Sequence, residues 1–391
     1  MNYNFDERIE RRGTGCVKWD SVPVTPSTGG GQGEALIPLW VADMDFAVAP
    51  AIQEAVRRRA EHPIYGYNIV EDDYYEAIIA WFGRRHGWTI RREQILYTTG
   101  VVPAMSVAIK ALTQPGQQVV ILSPDYNCFF SSIKNNRCKV SESVLLRKED
   151  HFEVDWDDFE QRCADETTTV FLLCNPHNPT GRVWLRDELQ RMSDICHRHG
   201  VRIVSDEIHC ELTMPGHTFC PMATVDETAV VLNSPSKSFN TAGLQIANII
   251  CEDDATRRRI DRAININEVC DVNPFGPRAL IAAYNESEEW LDALNAYLWD
   301  NYKALCDYAA QHLPAWHVMP LEGTYLVWVD VSACCDNVAD YCDHIFQQTG
   351  VRFNPGTMYG PESGEGYLRI NIACPRSLLM EALNRTKTII A

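Results

Sequence analysis

Five short apolar runs, each closed by a polar or turn-forming residue, constrain the fold of this 391-residue chain more than any other feature. They are Ile95–Thr99, Val119–Leu122, Thr169–Cys174, Val201–Ser205 and Ala229–Leu232. Each is too short for a stable helix and lacks the polar/apolar alternation of a half-buried strand. Continuous apolar strands belong to sheets covered on both faces, and those are mainly parallel. Helical spacing supplies the covers: Pro50–Ala60, Asp72–His86, Val101–Leu112 and Asp187–His199, the last with Gly200 at its C-terminal cap position. The reading is an α/β fold built on a mainly parallel, doubly covered sheet.

The last third changes character. A long amphipathic stretch from about Ser287 to Leu313 precedes L-V-W-V-D-V, a helix near Asn337–Thr349, and Y-L-R-I-N-I. These suit a smaller α+β unit. The first ~45 residues have no core of their own and must be tied down, so they are expected to pack with it. The expected division is a large domain over 46–286 and a small domain from 1–45 and 287–391.

Composition narrows the function. Thirty-five basic against 53 acidic residues give a net charge of −18, which opposes binding to nucleic acid or an anionic membrane surface. No apolar run approaches a membrane span. The opening M-N-Y-N-F-D-E-R-I-E-R-R is too charged for a signal peptide. Fifteen cysteines, an odd number without a C-x-x-C pair, read as reduced thiols in a cytoplasmic protein. Cys196, His197 and His199 lie on a polar helix with no matching second half, so no metal is expected there. The glycine-rich stretch Pro26–Glu34 has no G-K-[ST] ending and reads as a surface loop.

Chemistry collects at the strand ends. Gly100, Tyr126, Asn178, Asp206 and Lys237 follow the five apolar runs in turn. In open α/β sheets ligands bind beyond the carboxyl ends of the strands. Each position alone has a bland reading: a glycine turn, a core tyrosine, a capping aspartate. Together they suit a phosphorylated pyridine aldehyde, pyridoxal 5′-phosphate. Gly100 is read as a tight turn, after which the amides of Val101 and Val102 at a helix N-terminus hold the phosphate. Ser234 and Ser236 add hydroxyl donors. Tyr126 stacks on the ring, Asn178 donates to the phenolate oxygen, and Asp206 keeps the pyridine nitrogen protonated. Lys237, in S-P-S-K-S-F-N, is the amine that reacts with the aldehyde and then acts as base at the substrate Cα.

These segments resemble the fold type I pyridoxal phosphate enzymes of the class I/II aminotransferase superfamily. Within it the chain is most similar to the MalY/PatB-type carbon–sulfur lyases, or cystathionine β-lyases. The resemblance spans nearly the whole chain and rests on R-R-G-T-G-C-V-K-W-D (11–20), A-D-M-D-F (42–46), Y-G-Y (65–67), N-P-H-N-P-T-G-R-V-W (175–184), S-D-E-I-H (205–209), S-K-S-F-N (236–240) and Y-L-R-I-N (367–371). The first two mark the lyase branch. The resemblance implies a seven-stranded sheet in the large domain and a homodimer in which Tyr67 reaches the phosphate of the neighbouring site. It also implies that Arg369 binds the substrate carboxylate, with Asn178 and Tyr126 beside it, and that the Asn178–Pro179 bond is cis. Without it, Arg369 reads as a surface strand arginine.

The chain departs from the aminotransferase pattern at two positions. His209 stands where many aminotransferases have tyrosine, three residues after the ring aspartate. It reads either as a packed, hydrogen-bonded histidine or as a group tuning Asp206. Gln245, in G-L-Q-I-A, replaces the arginine of a G-x-R-x-G pattern and removes one phosphate contact, which weakens the transaminase reading. The implied reaction is α,β-elimination of cystathionine- or cysteine-type amino acids to a thiol, pyruvate and ammonia. Transamination is the enzymatic alternative. A regulatory protein-binding role, as in some MalY-type proteins, is the alternative of another class.

Overall fold

The computed structural model describes residues 3–22 and 36–390. The glycine-rich Pro26–Glu34 lies outside the described residues. Seven strands form the large sheet, in the spatial order Ile95–Thr98, Ala247–Ile250, Val230–Asn233, Arg202–Asp206, Thr168–Cys174, Gln118–Ser123 and Lys139–Val144. Six run in one direction, and Ala247–Ile250 is antiparallel to both its neighbours. The five runs read from sequence are all present, with ends moved by no more than a residue or two.

Period-two packing accounts for the unbroken apolar runs. Val119 and Ile121 enter one core cluster while Val120 and Leu122 enter another. Val170 and Leu172 face the first, and Phe171 and Leu173 the second. Helix Val101–Leu112 covers one face with Asp254–Ile266. Helices Trp156–Cys163 and Arg186–His199 cover the other. Gly200 caps the second of these in the left-handed region, at φ 70°, and its N–H bonds the carbonyls of Cys196 and His197. Glycine takes that conformation at little cost.

The long helix Glu288–His312 buries Leu291, Leu294, Leu298 and Leu305 at helical spacing. Beyond it, His317–Val318, Leu326–Asp330, Tyr367–Asn371 and Asn354–Pro355 form a four-stranded antiparallel sheet. Ile37–Pro38, near the chain start, pairs in parallel with Val351–Arg352. One apolar cluster joins Phe5, Phe46 and Trp290 to Val327 and Ile370 of this sheet, and to Phe239 beside the large one. No helix is long and apolar enough to cross a membrane among the described residues. All fifteen cysteines are free thiols.

Candidate active site

The parallel strands place their carboxyl ends along one edge, and a cavity of about 290 Å³ opens there. Gly100, Val101, Val102, Tyr126, Asn178, Asp206, His209, Ser236, Lys237 and Gln245 all line it. Residues scattered over about 145 positions of sequence thus meet because five strands end in register. Gln245 arrives from the opposite direction, since it precedes the antiparallel strand Ala247–Ile250.

At one end, Val101 and Val102 open helix Val101–Leu112, and their amides have no acceptor inside it. Ser236 adds a hydroxyl. Gly100 corrects the expectation of a tight turn: its φ of 166° is ordinary extended backbone, which any residue adopts. A Cβ there would meet only Pro103, at 3.5 Å. Ser234 corrects the expectation of a second hydroxyl donor to the anion. It is buried below the cavity, donates to the Ile246 carbonyl at 2.7 Å, and accepts from the Ser236 amide at 3.1 Å. Its visible work is to hold the loop.

Asp206 closes its strand. Its Oδ1 accepts from the Ile208 amide at 3.1 Å, and burial pushes its carboxyl up to about 7. An anion here makes no salt bridge among the described residues, and a protonated ring nitrogen would supply the missing counter-charge. Lys237 is pushed the other way. Burial, and then the Arg369 charge, lower its amine to about 8, so a useful fraction is neutral near physiological pH. Its Nζ donates to the Ala42 carbonyl at 2.6 Å.

Asn178 has a defined orientation. Arg369 Nη1 donates to its Oδ1 at 3.0 Å, which leaves the Nδ2 hydrogens for a ligand acceptor. The Asn178–Pro179 bond is cis. Arg369 is buried, not a surface arginine. Its Nη2 donates to the Trp40 carbonyl at 2.9 Å, its guanidinium lies 4.6 Å from the Tyr359 ring, and its Nε has no partner. These bonds take two of its five N–H groups, and Arg369 is not among the residues that line the cavity. Tyr126 sits on the cavity wall, edge-on to Phe129 at 6.1 Å, and its amide is held by Asp125 Oδ1 at 2.7 Å.

His209 departs from the reading of a packed, hydrogen-bonded histidine. It is buried and packs edge-on to Tyr325 at 5.9 Å, but its Nδ1 has no hydrogen-bond partner and the residue lines the cavity. Burial, with Lys237 and Arg369 nearby, drives its pKa well down, so the ring is neutral. Tyr67 stands fully exposed at 100 % and contributes nothing to its own chain's cavity. Cys196 is buried, while His197 pairs with Asp226 and His199 with Glu160. A different grouping, His86, Cys210 and Glu211, has metal-like spacing. Its Glu211 already holds Trp81 and His86, each at 2.7 Å, with Arg85 3.5 Å away.

Sequence reasoning missed Ala42, Asp125 and Tyr325. Ala42 acts through a carbonyl, which leaves no side-chain signal; the neighbouring D-M-D-F was the only pointer. Tyr325 donates to that same carbonyl at 3.0 Å.

The donor set fits a phosphorylated pyridine aldehyde: free helix amides, a buried carboxyl, a poised amine and an oriented amide line one cavity. The family model for aminotransferase class I and II matches residues 35–385. Cystathionine beta-lyase PatB of Bacillus subtilis is 38% identical over 99% of this chain and 100% of its own. Protein MalY of Escherichia coli is 35% identical over 96% of each chain. The crystal structure of cystalysin from Treponema denticola, which contains pyridoxal 5′-phosphate, superposes with a TM-score of 0.93 at 33% identity, covering 99% of this chain and 98% of that one. By site geometry, fold and full-length similarity, the chain belongs to the aminotransferase class I and II family.

Proposed function

We propose that this protein is a pyridoxal phosphate-dependent carbon–sulfur lyase acting on cystathionine- or cysteine-type amino acids. The observation that carries the reading is the pairing of a buried, deprotonation-prone Lys237 with a buried Asp206 in one cavity. Full-length likeness to proteins named cystathionine beta-lyase selects the reaction. The cofactor, when bound, supplies an electron sink for the pair left at the substrate Cα.

The chain's own residues do the rest. Arg369 binds the α-carboxylate and thereby turns the Cα–H bond toward Lys237. Asn178, fixed by Arg369, would present its Nδ2 to the phenolate oxygen of the bound cofactor. Asp206 would hold the proton on the ring nitrogen, and Tyr126 would cover the ring face. Val101, Val102 and Ser236 would take the phosphate. Gln245 borders the cavity as a neutral residue in place of an arginine. The amine of Lys237 removes the Cα proton. The Cβ–S bond then breaks, and the sulfur leaves with the bonding pair as a thiolate, which takes up a proton. The 2-aminoacrylate released adds water and gives pyruvate and ammonia.

The working unit is proposed to be a homodimer. The support is the exposed cluster Ile64, Tyr65, Tyr67 and Ile69, which includes the residue expected to reach the neighbouring phosphate. The division into 46–286 and 1–45 with 287–391, and a cytoplasmic location for a chain with fifteen free thiols, belong to the same proposal. Transamination shares the proton removal at Cα and stays as the second reading, favoured by the family as a whole. A panel of β-substituted amino acids separates the two. The lyase releases pyruvate and thiol with no added keto acid. Amino-group transfer to a keto acid as the sole product would reject it.

A further inference from the structure

The stretch 11–20 and the D-M-D-F run had no part in the chemistry above, yet the fold joins them. Arg11 Nη1 reaches Asp45 Oδ1 at 2.6 Å, and its Nη2 reaches Asp43 Oδ2 at 2.7 Å. Lys18, completely buried, bonds Asp45 Oδ2 at 2.7 Å and the Asp43 carbonyl at 3.0 Å. Trp19 Nε1 adds a bond to Asp45 at 2.8 Å. Two cations thus neutralise two anions, and the polar atoms of Lys18 are satisfied, as burial of a charge demands.

These bonds end on a strap, residues 40–46, whose Trp40 and Ala42 carbonyls reach the active-site cations. Trp40 O accepts from Arg369 at 2.9 Å and Ala42 O from Lys237 at 2.6 Å. Asn371 grips the carbonyls on either side of Ala42, those of Val41 and Asp43, at 2.6 and 2.7 Å. The strap therefore fixes the substrate-binding guanidinium and the catalytic amine at once.

We propose that Arg11, Lys18, Asp43 and Asp45 are positioning residues: their partly buried ion-pair cluster sets the strap, and through Trp40 O and Ala42 O it sets Arg369 and Lys237. The proposal rests on the assignment of those two residues as carboxylate binder and reactive lysine. It does not depend on which reaction follows proton removal. Asp43 also acts on Lys237 directly, since its charge favours the protonated amine.

The test uses holoenzyme carrying Lys18→Met or Asp43→Asn, with alanine as the probe. Alanine has an α-carboxylate and no β-leaving group, so its binding reports geometry alone. Cofactor absorbance gives both alanine affinity and the pH midpoint of the lysine-bound cofactor. Lys18→Met is expected to weaken alanine about tenfold, as misplacement by a fraction of an ångström does. Asp43→Asn is expected to move the absorbance midpoint to lower pH. If Lys18→Met does not fold, Asp43→Asn alone decides. Folded variants that bind alanine within about twofold of wild type, with an unmoved midpoint, overturn the proposal and leave the cluster a purely structural one. Absence of thiol release by the wild type would reject the lyase reading and leave these readouts intact.

Discussion

At the scale of single residues, burial is the main lever. It pushes Asp206 from 3.8 up to about 7. Between those values the folded, cofactor-free protein holds a proton that the unfolded chain has lost. Its stability therefore falls as pH rises through that window. Asp206→Asn removes the slope, so the cofactor-free variant should gain on wild type between about pH 5 and pH 7.5 in denaturant midpoints. A constant difference would show that Asp206 ionises freely. Glu207 is a parallel case, raised to about 8 by burial. Its Oε1 accepts from Ser205 at 2.9 Å and the Met222 amide at 2.8 Å. Its Oε2 is buried without a hydrogen-bond partner, which suits a protonated carboxyl. Glu207→Gln should match wild-type stability near pH 4 and gain on it progressively from about pH 4.5 to about pH 8. A loss of stability at pH 6 would mean that the carboxylate form is the native one. These roles were only partly legible in sequence. Lys237, Asp206 and Asn178 stand out because polar groups directly after apolar strands are uncommon. Ala42 does not, because its contribution is a carbonyl. Tyr325 in a strand reads as ordinary core, and Ser234 shows that a hydroxyl near the right place can be spent on backbone.

At the scale of elements, the parallel strands were legible because burial on both faces leaves unbroken apolar runs. Lys139–Val144 was not, since K-V-S-E-S-V is an edge strand with a partly solvated pattern. Ala247–Ile250 was hidden by its neighbours, because nothing in A-N-I-I announces a reversal of direction. The turn at 356–364 tests the packing of the small sheet against the site. A Cβ on Gly356 would come within 2.2 Å of the Gly364 carbonyl and 2.6 Å of the Tyr367 carbonyl. Backbone on both sides cannot yield as a side chain could. Gly356→Ala should cost about 2 kcal/mol or more, read from denaturant midpoints. A cost below about 0.5 kcal/mol would show that this turn is looser than described.

At the scale of the whole molecule, the chain brings the site together from both ends: the strap near residue 42, five strand ends in the middle, and Arg369 on a late strand. That long reach is why motif order along the sequence was informative and cavity shape was not. Tyr67 adds a claim about assembly. Tyr67→Ala and Lys237→Ala each damage a different contributor to a shared site. In a mixed dimer, the subunit that keeps Lys237 would receive an intact Tyr67 from its partner. Mixing the two inactive or weakened variants, with subunit exchange, should restore activity above either alone. No gain, with exchange verified, would place Tyr67 outside the neighbouring site. The central claim is elimination initiated by Lys237, and one measurement tests it most directly. Cystathionine is supplied to the holoenzyme without any keto acid, and thiol and pyruvate are followed together. The account predicts equal amounts of homocysteine and pyruvate from wild type and neither from Lys237→Ala. Pyruvate or thiol formed at an undiminished rate by Lys237→Ala, or neither formed by wild type, would contradict it.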